Sequence, residues 1–269
     1  MNKTIDEFIW IGSKENFVDK INIHTTDNIF LGRFGGNSAA GQYKNEDGCL
    51  VWTNKKWDYE FAVILDAHNS ADSATLILKQ LSKRKQEIQD LLALPYKQTY
   101  TQLENTILNI FQEKQFLSDC RKVQGESSCL IVVRKNKYVW WFSIGDCLAC
   151  IFHSELALLG QYQMNQRQFY EWIGQVNTFE QPVPCYSSGI RELRKGINRI
   201  FLTTDGLIEC PNDPFSSPEK IYNVIKRLPI NEGLMTLLNS IKENNVRDST
   251  TILSWDVNIT EDVTFPSDE

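Results

Sequence analysis

Two strand–turn–strand signals, set apart from long helical runs, constrain what this chain can fold into more than any other feature. In the first, Cys49-Leu50-Val51-Trp52 and Tyr59–Leu65 flank a polar turn at Asn54-Lys55-Lys56. In the second, Ser128–Val133 and Tyr138–Ile144 flank Lys135-Asn136-Lys137. Apolar runs of strand length joined by short polar turns read as β-hairpins. Leu148–Phe152, Arg199–Thr204 and Thr250–Val257 read as further strands, with Phe8–Ile11 and Ile21–Phe30 as early ones and Gly32–Asn37 as a loop. From Ser70 to Leu92 the period changes: Ala74, Ile77, Leu78, Leu81, Ile88, Leu91 and Leu92 recur at three and four residues, the mark of a helix that Asn69 or Ser70 can cap. Pro95 opens a second helix to about Leu117, with Leu103, Ile107, Ile110 and Phe111 on its apolar face. Pro218–Leu228 and Glu232–Glu243 also read as helical. There is no βαβ alternation and no internal repeat. Hairpins grouped apart from helices predict an α+β fold of antiparallel sheets with helices outside.

A chain of 269 residues, 42% hydrophobic and 23% charged, is ordinary for a globular protein, and a single domain over residues 1–269 is expected. A net charge of -6 argues against nucleic acid or an anionic membrane as the main partner. The N-terminus lacks the apolar core of a signal peptide, and no run approaches the roughly 18 apolar residues of a membrane helix. Seven cysteines without a disulfide spacing framework fit a cytoplasmic protein with free thiols. A monomer is expected. Residues 160–189, rich in glutamine and aromatics and carrying Pro182 and Pro184, read as an inserted flap over the sheet, and 258–269 as a frayed acidic tail.

Several short motifs fall away on inspection. His24, His68 and His153 are too far apart for a local zinc site, although His68 follows Asp66 by two residues. Cys147 and Cys150 form a C-x-x-C inside a strand pattern, where residues three apart point to opposite faces. Gly36–Gly41 is followed by Gln42-Tyr43 rather than the Lys-Ser/Thr of a phosphate loop, so turn glycines account for it better. Cys185 and Arg191 have the spacing of cysteine-dependent phosphatases, but Pro184 precedes the cysteine and no strand leads into it.

The aspartates remain. Asp47, Asp66, Asp205 and Asp248 each stand where a strand-like run meets a polar loop, and Asp146 follows Val139–Gly145 in the same way. Carboxylates held at strand ends and able to converge suit hard divalent cations, which prefer oxygen ligands.

Their neighbours occur in a telling order. Asn45-Glu46-Asp47, Phe61-Ala-Val-Ile-Leu-Asp66-Ala-His68, Gly125-Glu-Ser-Ser128, Ile144-Gly-Asp146, Thr204-Asp205-Gly206 and Arg247-Asp248-Ser-Thr-Thr-Ile252 together resemble the metal-dependent serine/threonine phosphatases of the protein phosphatase 2C (PPM) family, over roughly Gly41 to Trp255. The resemblance implies a four-layer sandwich, two antiparallel sheets flanked by pairs of α-helices. It implies a centre of two Mn²⁺ or Mg²⁺ ions and hydrolysis of phosphoserine or phosphothreonine, in a phosphorylated protein substrate, by a water bridging the ions. In that scheme Asp66 bridges the two metals, with Asp205 and Asp248 on one side. Asp47 and Glu46 hold the other side, largely through bound water, with the main-chain carbonyl of Ala67 in the place of a glycine. Asp146 matches a position associated with a third, weaker ion, and His68 matches the general acid for the leaving oxygen.

The chain also departs from the pattern. Gln42 stands where the family has a phosphate-binding arginine, which leaves Lys44 or Arg33 as substitutes. Asp66-Ala-His-Asn-Ser70 lacks the family's three glycines, so a positive φ would be costly at Ala67 and tolerable at Asn69. Ser249 replaces an asparagine. These departures motivate an alternative from another class: a catalytically weak phosphatase-like module that binds phosphoproteins or regulatory partners.

Overall fold

The computed structural model describes residues 6–264. Twelve strands and seven α-helices occur in this region. The strands are β1 (Asp6–Ile11), β2 (Asn22–Thr26), β3 (Ile29–Phe34), β4 (Gly48–Asn54), β5 (Tyr59–His68), β6 (Glu126–Lys135), β7 (Tyr138–Ile144), β8 (Leu148–Phe152), β9 (Ile173–Gly174), β10 (Ser187–Glu192), β11 (Gly196–Thr203) and β12 (Thr250–Ile259). The helices are α1 (Asp72–Lys83), α2 (Lys85–Leu92), α3 (Tyr96–Phe111), α4 (Lys114–Cys120), α5 (Ser154–Leu158), α6 (Pro218–Ile225) and α7 (Ile230–Glu243). None is long and apolar enough to cross a membrane.

Both predicted hairpins form, as β4–β5 and β6–β7. They build one antiparallel sheet in the order β1-β4-β5-β6-β7-β10, with β9 also on β6. The second sheet is antiparallel, in the order β2-β3-β12-β11-β8. The alternation of strand side chains sorts residues into three cores. On β5, Phe61, Val63, Leu65 and Ala67 face α1–α4, whereas Ala62 and Ile64 face the other sheet. On β11 and β12, Ile200, Leu202, Leu253 and Trp255 fill the same inter-sheet core, whereas Phe201 and Ile252 pack under α6 and α7. Burying a side chain such as Phe61 contributes about 1.5–3 kcal/mol. The result is the expected α+β sandwich of helix, sheet, sheet and helix layers.

Local differences have local causes. The Ser70–Leu92 run is two helices, interrupted at Arg84, and the run from Pro95 breaks between α3 and α4. Gly32, Arg33 and Phe34, expected in a loop, end β3 instead. A Cβ at Gly32 would lie 3.0 Å from Leu238 Cδ1, so this glycine serves the close approach of α7 rather than a turn. Within 160–189, the main chain of Tyr162 and Met164 bonds that of Ile151 and Ala149 on β8, and Ile173–Gly174 joins β6. β10 had no signal in the sequence; it continues the first sheet beyond β7. The last strand reaches Ile259, and the Thr264 amide donates to Glu192 Oε1 at 2.9 Å; the rest of the acidic tail lies outside the described residues.

Candidate metal centre

The strand registers bring all five aspartates to one end of the two sheets. Gly48, just after Asp47, pairs with Leu65, just before Asp66. Asp66 pairs with Ser128, and Cys129 pairs with Ile144, two residues before Asp146. In the second sheet Thr203, two residues before Asp205, pairs with Ile252 and with Leu148, and Thr250 opens β12 two residues after Asp248. The parity of β5 then decides direction. Asp66 follows Ala62 and Ile64 on the inter-sheet face, so its carboxylate enters the space between the sheets at their open end.

Oxygens of Asp66, Asp146 and Asp205 lie within 4.8 Å of one another. Asp66 and Asp205 are buried, and Asp66 Oδ2 and Asp205 Oδ1 have no hydrogen-bond partner. Asp146 is held by the Ser128 hydroxyl, which donates to its Oδ1 at 2.6 Å. Asp47 is fully buried beside them and joins the two sheets: it accepts from Thr251 Oγ1 at 2.6 Å, Ser249 Oγ at 3.1 Å and Thr204 Oγ1 at 3.3 Å. Ser249, the residue replacing an asparagine, therefore has work of its own. Loss of water raises the carboxyl pKa of Asp66 well above the usual range, and the nearby charges of Asp205, Asp47 and Asp248 raise it further. Asp205 is pushed up to about 8, by burial first and then by Asp248. Burial pushes Asp47 up to about 7, against the lowering effect of its hydroxyl partners. No cationic side chain forms an ion pair with Asp66 or Asp205 among the described residues; His68 Nδ1 lies 4.0 Å from Asp66 Oδ1.

A cleft of about 300 Å³ opens over this end, lined by Gln42, Lys44, Glu46, Ala67, His68, Asn69, Arg247 and Asp248. The backbone of Asn69 is left-handed, with φ of 73°, while Ala67 stays in the strand. The sequence thus tolerates the loss of glycines: the demanding conformation falls on asparagine. Gln42 is buried and donates from Nε2 to the Lys44 carbonyl at 2.7 Å. Lys44 pairs with Glu46 and donates to the Asn69 carbonyl at 2.7 Å. Arg33, one of the expected substitutes for the missing arginine, does not line the cleft. It is buried against Phe8, Trp10 and Phe17 and donates to Asn22 Oδ1 at 2.6 Å. The error follows from reading Gly32-Arg33-Phe34 as a loop: on β3, Arg33 follows Leu31 onto the inter-sheet face and packs among those rings.

The rejected motifs are structural. His24 stacks on Phe8, and His153 caps α5 while bonding the Lys195 carbonyl. Cys147 and Cys150 are buried in different cores, on opposite faces as expected. Burial raises the Cys185 thiol, and Arg191 lies on β10 with its guanidinium on Gln161, so the pair forms no phosphate loop.

Two arginines were missed. Arg167 Nε donates to the Asp146 carbonyl at 2.6 Å while Nη2 pairs with Glu209 at 3.1 Å, linking the two loops that carry Asp146 and Asp205. Nothing in its sequence neighbourhood signals this. Arg247 lines the cleft, and its position beside Asp248 was the available clue.

No protein-family model and no curated protein matches the sequence. Solved structures do. An arginine-to-alanine variant of a bacterial serine phosphatase matches with a TM-score of 0.66 at 17% identity, over 88% of this chain and 100% of that one. The serine/threonine phosphatase Stp1 from Staphylococcus aureus matches with a TM-score of 0.60 at 15% identity, over 89% and 94%. The catalytic domain of the phosphatase PstP, solved with 2 manganese ions, matches with a TM-score of 0.57 at 13% identity, over 95% and 100%. At this level of identity the likeness establishes architecture: the chain has the fold of the protein phosphatase 2C type of serine/threonine phosphatase.

Proposed function

We propose that this chain is a divalent-metal-dependent phosphatase acting on phosphoserine or phosphothreonine in proteins. The carrying observation is the Asp66–Asp146–Asp205 group, with a buried, unpartnered oxygen on both Asp66 and Asp205. Desolvated carboxylates that repel one another are stable in the ionised state only with a cation among them. The group is all oxygen, which suits Mn²⁺ or Mg²⁺ and not a thiolate-seeking ion. That PstP was solved with manganese, and the similarly folded RsbX with magnesium, supports the same choice here.

In this reading Asp66, Asp205, Asp248, Glu46, Asp47 and the Ala67 carbonyl would hold two ions, and Asp146 would help to hold a third. When bound, the ions would supply Lewis acidity, giving a nucleophilic water near neutral pH and charge to neutralise the phosphoryl group. The protein's own part is positioning and proton transfer. His68, at the cleft rim and partly exposed, would give a proton to the departing serine or threonine oxygen. The hydroxyls of Thr204, Ser249 and Thr251 hold Asp47 and so fix the two sheet ends against each other.

The alternative, a catalytically weak module that binds phosphoproteins or regulatory partners, is not favoured, because a module without turnover has little need for all of these carboxylates. Phosphate release from a phosphopeptide panel, with and without Mn²⁺ and with chelator, tests the reading. Release should require metal and vanish in Asp205→Asn with the fold intact. Full release in chelator, by the protein and the variant alike, refutes it.

A further inference from the structure

We propose that Arg247 is the phosphate-anchoring residue of this cleft, supplying the charge that Gln42 does not. The inference rests on the phosphatase reading above. A phosphate monoester needs cationic donors on the oxygens that the metals leave free, and a guanidinium fork meets two of them at once. The cations near the cleft can be taken in turn. Arg33 is buried among aromatic rings of the inter-sheet core and does not line the cleft. Lys44 is engaged by Glu46 and by the Asn69 carbonyl. Gln42 brings no charge, and its amide already donates to the Lys44 carbonyl. Arg247 is exposed, lines the cleft beside Asp248 and His68, and forms no ion pair with any described residue.

The main chain beneath Arg247 is fixed although its side chain is free. Val246 is buried in the α7 core, and its carbonyl accepts from the Asn37 amide at 2.9 Å. Gly36, with φ of 81°, lies so close that a Cβ there would come within 2.1 Å of the Arg247 carbonyl oxygen. On the other side, Ser249 is bonded to Asp47 at 3.1 Å. The glycine loop that failed as a nucleotide-phosphate loop therefore has a different use: it clamps the segment that presents Arg247. A free guanidinium on a fixed backbone, one residue from a carboxylate of the centre, is organised for an anion arriving at the metals.

The test uses the full chain loaded with Mn²⁺, p-nitrophenyl phosphate as substrate and inorganic phosphate as competitor. Arg247→Ala should raise KM and the phosphate inhibition constant by about tenfold or more, with a much smaller change in kcat. Arg247→Lys should recover part of the loss. Arg227→Ala, which removes the same charge from an exposed site outside the cleft, should leave both constants unchanged. Mn²⁺ titration calorimetry should give the same isotherm for Arg247→Ala and the unaltered chain. Unchanged constants in Arg247→Ala, equal shifts in Arg227→Ala, or loss of metal binding in Arg247→Ala would each overturn the proposal. If the unaltered chain shows no metal-dependent turnover, the phosphatase reading fails on its own. Direct calorimetry of inorganic phosphate on the Mn²⁺-loaded proteins then decides the anchoring role: weaker binding by Arg247→Ala supports it, and equal or absent binding overturns it.

Discussion

Strands β5 and β6 bury charge at both of their ends, and the two ends handle it in opposite ways. At one end Glu60 pairs across the ladder with Arg134. Arg134 donates to both Glu60 oxygens and to Asp58, and this keeps the buried guanidinium charged. At the other end Asp66 pairs with Ser128, whose hydroxyl goes to Asp146, so Asp66 meets further carboxylates instead of a cation. The same ladder thus carries one completed charge network and one left incomplete. A completed buried network fixes register and packing, whereas an incomplete one is stable only with something added.

The comparison breaks most decisively at Asp66. Asp66→Asn keeps the shape and removes one charge, so metal-dependent phosphate release should fall by about a hundredfold or more. The melting temperature of the metal-free protein should not fall, because a repulsive charge has gone. A large loss of metal-free stability would mean that Asp66 belongs to the architecture after all. Glu60→Gln is the reciprocal change. It leaves Arg134 buried without its main counter-charge, and urea unfolding should show a loss of about 3–5 kcal/mol. Turnover per folded molecule should persist. If turnover disappears while stability holds, the assignment of roles to the two ends is wrong.

The pH dependence separates the ends next. Burial and mutual repulsion raise the carboxyl pKa values of Asp47 to about 7 and Asp205 to about 8. A carboxyl raised in the folded state holds its proton where the unfolded chain has released it. Stability of the metal-free protein is therefore lost as pH rises from about 4, the ordinary carboxylate value, through the folded-state values near 7 and 8. A metal held by the ionised carboxylates, as proposed, would reverse this. The stabilisation by Mn²⁺ should be small near pH 5 and reach about 2–3 kcal/mol near pH 8 at a hundredfold excess over Kd. Thermal melts with and without Mn²⁺ across that range check it, and a gain that shrinks with rising pH would contradict a carboxylate site.

How much of this could be read beforehand depended on whether the signal was local. Hairpins and helices are local patterns and pointed to antiparallel sheets with helices outside; the four-layer arrangement came from the resemblance that the ordered motifs carry. Asp66, Asp205 and Asp248 were visible because each lies within two residues of a strand end. Glu60 and Arg134 are 74 residues apart and pair only through strand register, so neither stood out. Arg33 failed for the same reason in reverse: a local glycine suggested a loop, while the packing of α7 against Gly32 made it strand. β10 has no hydrophobic alternation to reveal it, since its residues are all partly or wholly exposed at a sheet edge.

Arg167 sharpens the comparison at its weakest point, because it is a cation close to the incomplete end. Its guanidinium nonetheless neutralises none of the clustered carboxylates. It bonds the carbonyl of Asp146 rather than the side chain, and its charge goes to Glu209, four residues beyond Asp205. It is thus a brace between the loop after β7 and the turn after β11, and a positioning residue for Asp146 and Asp205. If the proposed ions bind, Arg167→Ala should weaken by about tenfold the one that Asp146 would hold and leave binding through Asp66 intact. Mn²⁺ calorimetry should show the tighter binding phase unchanged and the weaker one displaced. Arg167→Lys, which keeps the charge but loses the fork, should behave more like the alanine variant than like the unaltered chain. If lysine restores binding fully, Arg167 acts through its charge, and the aspartate end is less incomplete than its unpartnered oxygens indicate.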